Sequence, residues 1–229
     1  MSTPDTRIRL GALAAALAAL MFLLYPALRP WTDESTVAGA TEAMGSWRWV
    51  ASHLFAMVGF ILLPLALLAV RSLVARTPGE APAAWAVVTT WTGAGLTLPY
   101  YGAEDFALNA IAGRSVDGQQ LDLLDLVDAV RYGPVAITSF GVGLVLLGVG
   151  AVLAAVAIWR SGLIPRASGI PLALGFALFL PQFYTPPAVR IGHGVLVAVG
   201  LAWVALSLWR RPAAIHSEQQ GTAATRATV

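Results

Sequence analysis

Glu104 and Asp105 stand side by side in "LPYYGAEDFALNAIAG" (98–113), where a long apolar run ends in a chain that has few charges. Two carboxyls held together beside apolar walls cannot both ionise at low cost, so one keeps its proton near neutrality and can donate it. An imidazole is a fitting base for such an acid. His53 and His193 each fall roughly one helical turn inside the end of another apolar run, at matched depth. A spacing of four puts Tyr101, Asp105 and Asn109 on one helical face, with Glu104 about a quarter turn away. Glu104, Asp105, His53 and His193 are therefore the expected catalytic group. Tyr100, Tyr101, Phe106, Asn109, Tyr132 and Tyr184 are the expected substrate wall, and its aromatic faces, with Phe183, can stabilise a developing cation. This set describes acid–base conversion of a lipophilic substrate, such as an acid-initiated isoprenoid cyclisation, and needs no cofactor.

Two other readings use the same residues. Neutral imidazoles ligate haem iron, copper or zinc, so His53 and His193 are also a candidate haem or metal pair, with Glu104 or Asp105 as a further ligand. They lack the fixed local spacing of a zinc motif. The third reading is a non-catalytic subunit that binds a lipid or a membrane partner. Each residue also has a plain structural role: the acids as ion-pair partners of Arg131 or Arg190, the histidines as bonds to a neighbouring helix, the tyrosines as an interfacial belt.

The elements that must position these groups follow from composition. At 58% hydrophobic and 11% charged, the chain is far below the roughly one quarter of charged residues in a soluble domain. Its expected solvent is lipid. A hydrocarbon core of about 30 Å takes about 20 apolar residues per helix, and six runs qualify: 10–28, 49–70, 85–101, 135–159, 167–184 and 191–209. The expected fold is an all-α, six-helix transmembrane bundle over 10–211, after a cytoplasmic N-terminus (1–9) and before a disordered cytoplasmic tail (212–229). "VAGA" (37–40) looks like a cleavage site but lies too far beyond the first run, which is kept as a span.

With both ends in the cytoplasm, Arg7, Arg9, Arg71, Arg76, Arg160, Arg166, Arg210, Arg211 and Arg226 fall inside. Only Arg29, Arg48, Arg114, Arg131 and Arg190 fall outside. That bias follows the positive-inside rule and implies a multi-pass protein of a bacterial inner membrane. The polar candidates then share the outer layer. Between the third and fourth runs, Asp122, Asp125 and Asp128 alternate with Leu and Val, which predicts an amphipathic outer segment near 117–131 covering the bundle. In the fourth run the pairs Gly141/Gly148 and Gly143/Gly150 each return to nearly one face, so close helix packing is expected there.

The absence of cysteine removes disulfides, thiolate nucleophiles and Cys-ligated metal centres. Phosphate-loop, dinucleotide and nucleic-acid motifs are missing too, leaving the bilayer and a lipophilic small molecule as the expected partners. In size, helix-only architecture and lack of a soluble domain, the chain resembles the small membrane-bound terpene cyclases of microbial natural-product pathways. It is also similar to small multi-pass membrane proteins of GC-rich bacteria. Both likenesses are architectural and transfer no residue roles.

Overall fold

The computed structural model describes residues 4–117, 119 and 121–210, and all regular structure among them is helical. Four helices are long and apolar enough to cross a membrane: α1 (Pro4–Leu28), α3 (Trp47–Val74), α7 (Pro134–Ser161) and α9 (Pro187–Trp209). The third expected span is α4 (Glu80–Gly102), whose threonines, glycines and tyrosines make it less apolar than those four.

The fifth expected span is not a single helix. A 3-10 turn (Arg166–Ser168) leads into α8 (Gly169–Ala177), only nine residues long, and a second turn follows at Pro181–Tyr184. At about 1.5 Å per residue α8 rises about 14 Å, half a hydrocarbon core. Pro181 accounts for the stop, since a proline ring clashes with the carbonyl four residues back, here that of Ala177. Even so, α8 holds a full place in the architecture. Side by side, α1, α3, α4, α7, α8 and α9 form a closed ring of packed neighbours, with α9 returning to α1.

The centre of this ring is aromatic. Phe22 meets Phe60 and Phe176 edge-on, with centroids 5.1 and 5.4 Å apart, and Phe60 meets Phe179 at 5.4 Å. Glycines bring α4 and α7 together: a Cβ on Gly93 would lie 2.7 Å from the Gly143 carbonyl oxygen. The buried hydroxyls of Thr90 and Thr97 donate to carbonyls four residues earlier and cost the core nothing unpaired. Outward, Leu13, Leu17, Leu20, Val58, Ile61, Leu65, Val145, Val149, Val195 and Val199 are all exposed. Apolar residues inside and outside together are what a lipid solvent selects.

One end of the ring carries a cap of short helices, α2 (Val37–Met44), α5 (Leu108–Val116) and α6 (Leu123–Tyr132), with a small core of their own around Trp49, Met44, Leu108, Leu123 and Val127. Helix α6 falls where the amphipathic segment near 117–131 was expected; its Leu123 and Val127 are buried, while Asp122, Asp125 and Asp128 are exposed. The Asp122 side chain caps α6 by accepting from the Asp125 amide at 3.2 Å. Helix α2 was not expected. It includes the "VAGA" stretch, and the Thr36 hydroxyl caps it from outside by accepting from the Gly39 amide. Helix α4 does not stop near Tyr101 but continues through a π-helical turn (Ala103–Ala107) into α5. At the N-terminus, residues 4–9 already belong to α1. The expected tail, 212–229, lies outside the described residues.

Candidate functional site

The capped end of the bundle contains a cavity of about 460 Å³, open on one side. It is lined by Tyr25 and Arg29 at the end of α1, His53 of α3, Tyr100 and Tyr101 of α4, and Glu104 of the π turn. Its sides are Trp31 and Glu34 from the α1–α2 loop, Arg131 and Tyr132 of α6, and Arg190 at the start of α9. Ile137, Phe140, Gly141, Leu180, Phe183 and Tyr184 complete an apolar wall from α7 and the Pro181–Tyr184 turn.

Charge is arranged along one side. Arg29 pairs with one Glu34 oxygen and Arg131 with the other, each at 2.8 Å. Arg131 also grips Glu104 in two bonds, Nε to Oε1 at 2.8 Å and a terminal nitrogen to Oε2 at 3.1 Å. Burial alone would lower the Arg131 guanidinium, but the charges and hydrogen bonds of Glu104 and Glu34 outweigh it and hold it above its ordinary value. Both Arg29 and Arg131 lie over the Trp49 ring, at 4.8 and 5.8 Å from its centroid. The chain Arg29–Glu34–Arg131–Glu104 thus joins the end of α1, the α1–α2 loop, α6 and the π turn through hydrogen-bonded ion pairs.

Arg190 differs from the other two. No carboxylate pairs with it among the described residues; Nε donates to the Gln182 side-chain oxygen at 3.2 Å, and the guanidinium lies over Trp31 and Phe183 at 4.8 and 5.1 Å. His53 is nearly wholly buried, and its Nδ1 is 2.8 Å from the Trp49 carbonyl. A carbonyl only accepts, so Nδ1 carries the proton and Nε2 keeps its lone pair. Nε2 has no hydrogen-bond partner among the described residues.

The expected site residues divide. Glu104, His53, Tyr100, Tyr101, Tyr132 and Tyr184 line the cavity, the last two as exposed lip residues. Asp105, Asn109, Phe106 and His193 do not. Asp105 is fully buried, and neither of its oxygens is hydrogen-bonded among the described residues. Burial first, and then the charge of Glu104, push its carboxyl up to about 7. Asn109 donates to the Met44 carbonyl at 2.6 Å and ties α5 to α2, and Phe106 is exposed. The π turn explains the split. Leu108 donates to the Ala103 carbonyl, five residues back, and this wider turn offsets the register that a plain helix would give to Tyr101, Asp105 and Asn109.

His193 bonds the Gly175 carbonyl through Nε2 at 2.7 Å and meets Phe179 edge-on. It borders a separate hollow of about 10 Å³, room for about one water molecule. The two histidines therefore do not face a common space as a haem would require. Among the described residues no three His, Asp or Glu side chains gather as metal ligands.

Arg29, Trp31, Glu34, Trp49 and Phe140 were not expected at the site. Arg29, Trp31 and Glu34 cluster in "LRPWTDES", a short charged and aromatic passage directly after the first span. That passage was the available signal. Comparisons with known protein families, with curated proteins and with solved structures gave no match for this chain.

Proposed function

We propose that this is a multi-pass protein of the cell membrane, with six crossing elements and both ends in the cytoplasm, whose outer cavity binds a lipophilic ligand. The carrying observation is the cavity, about 460 Å³ and lined by both charged and aromatic side chains. Its size lies within the range of small-molecule sites. An apolar tail fits against Ile137, Phe140 and Phe183, and a polar head against the arginines and Glu104. The closed ring of helices and the arginine bias support the six crossings; α8 and its flanking turns make the fifth.

Two measurements test this. Because the chain has no cysteine, Ala38→Cys and Ala167→Cys each introduce one label site at an exposed position. An impermeant maleimide added to intact cells should label the first and spare the second; the reverse pattern would invert the topology. Saturable uptake of octanol by the purified protein in nanodiscs, above empty nanodiscs, tests the cavity. No saturable uptake of any alkyl ligand would remove the binding reading.

A second reading, acid–base catalysis on the same ligand, is favoured by the lone pair on His53 Nε2 in a cavity with aromatic walls. His53 is then the base, and the lining tyrosines and Phe140 stabilise a cationic intermediate. Asp105 has no direct part in it from its buried position. Membranes containing wild type or His53→Gln, offered prenylated and epoxidised substrates, distinguish the two readings. Turnover lost with His53→Gln supports catalysis, and no turnover by wild type leaves binding alone.

A further inference from the structure

Arg29 is 7% exposed, yet its Nε has no hydrogen-bond partner among the described residues. A buried donor left unpaired on a charged group is costly, and this one belongs to a residue that lines the cavity. Arg190 lines the same space, and among the described residues no carboxylate pairs with it. One side chain holds both: the Arg29 and Arg190 guanidinium groups lie 4.9 and 4.8 Å from the centroid of the Trp31 ring. Like charges gathered on a single indole repel.

The nearby acids are outnumbered here: three guanidinium groups, of Arg29, Arg131 and Arg190, share Glu34 and Glu104. Glu34 spends one oxygen on Arg29 and the other on Arg131, and Glu104 spends both on Arg131. Asp33, on the lip, is exposed and bonds Ser35.

We infer that the corner formed by Arg29, Trp31 and Arg190 is an anion subsite, and that it takes a head group of the phosphate-ester class. Guanidinium forks match phosphate oxygens in pairs. Two forks approaching from separate elements use more oxygens than the two of a carboxylate, and a phosphate monoester has three terminal ones. The Gln182 side chain, buried behind Arg190, fixes that fork through its Nε and leaves the terminal nitrogens for the ligand. The ligand is thus an amphiphile with an anionic head on Trp31 and its tail along Phe183, Phe140 and Ile137. This rests on the lipophile-binding reading above and assigns its head group.

Equilibrium dialysis of the protein in nanodiscs against octyl phosphate, octanol and inorganic phosphate tests the assignment. Octyl phosphate should bind saturably, and about tenfold or more tighter than octanol, as charge-assisted bonds to two arginines imply. Arg190→Gln should abolish that difference between the two ligands. Arg48→Gln, an exposed arginine outside the cavity, should change nothing. If Arg190→Gln does not fold, Arg190→Lys keeps the charge without the fork and should lose several-fold; no loss would overturn the subsite. Octanol and octyl phosphate binding equally to wild type would also overturn it and leave the cavity reading standing. Failure of both to bind removes the two together. Inorganic phosphate competing as well as octyl phosphate would keep the subsite and make its ligand free phosphate, against the lipophile.

Discussion

The indole Nε1 of Trp49 donates to the main-chain carbonyl of Glu104 across 2.8 Å. This single bond fastens the start of α3 to the π turn that presents the Glu104 carboxylate to the cavity. Trp49 is fully buried, with two arginines over its ring, so one side chain sets the position of both partners in the Arg131–Glu104 pair.

Replacing Trp49 by Phe keeps an aromatic ring and loses the hydrogen bond. The Glu104 carbonyl is then short of its partner, and stability should fall by about 1–2 kcal/mol. Trp49→Ala also opens a void in the cap core and should cost about 3–5 kcal/mol. Thermal denaturation of the purified protein, followed by loss of the monodisperse peak in size-exclusion chromatography, ranks the two. Equal midpoints for wild type and Trp49→Phe would show that the bond contributes nothing.

Arg131 neutralises two glutamates, so its loss should be worse than the loss of either. Arg131→Gln leaves Glu34 with Arg29 alone and Glu104 with no counter-charge, at a cost of about 3 kcal/mol or more. The double variant Arg131→Gln/Glu104→Gln removes the stranded carboxylate along with its partner and should recover part of that loss. The same thermal assay reads this as a coupling. Additive losses would mean that the pair is not energetically linked.

The sequence made the helical class readable, because lipid as solvent demands long apolar runs and little else. It also made readable the end of the bundle that carries the polar groups, since acids, tyrosines and histidines cluster at one set of helix ends. Two things were hidden. The π turn depends on how residues 103–107 pack against α3 and α6, and local propensity does not encode it; without it Asp105 and Glu104 could not be sorted between core and cavity. The short α8 hid for the opposite reason, because a hydrophobic run says nothing about how much of it stays helical once Pro181 must be accommodated. The Glu34–Arg131 link joins residues 97 apart, a long-range pairing that spacing along the chain cannot reveal.

Asp105 lies in the π turn, beyond the expected third span, and its titration has a definite sign. Its folded value, about 7, is above the ordinary carboxylate value of 3.8. Below about pH 4 the carboxyl is protonated whether folded or unfolded, and it contributes nothing to pH dependence. Between about pH 4 and 7 the unfolded chain gives up the proton and the folded one keeps it, so stability drains away as pH rises; above about 7 the loss is complete and flat. Asp105→Asn, which cannot ionise, should therefore be more stable than wild type at pH 8, by an amount on the order of 2–4 kcal/mol, and nearly level with it at about pH 3.5. A pH-independent gap between the two would refute the buried-carboxyl account.

Glycines of α7 divide by what they face, and that division offers a way to close the cavity without touching its charges. A Cβ on Gly143 would lie 2.5 Å from the Thr97 hydroxyl and 2.9 Å from the Gly93 carbonyl, while one on Gly150 would lie 2.4 Å from a Thr90 methyl. Gly143→Leu should force α4 and α7 apart and prevent assembly of the ring, because backbone at that distance has no room to yield. Gly141, two residues earlier and so turned toward the cavity wall, has nothing within 4 Å of its would-be Cβ. Gly141→Leu should then fold with a wild-type melting midpoint and project its side chain into the space opposite Phe140's neighbours, reducing octanol and octyl phosphate binding alike by about tenfold, the effect of one badly placed side chain on a ligand that must pack beside it. An equal loss of both ligands marks a steric block of the tail, whereas the Arg190 variants act on the head alone. Gly141→Leu protein that folds and binds both ligands as wild type would show that the tail does not lie against α7.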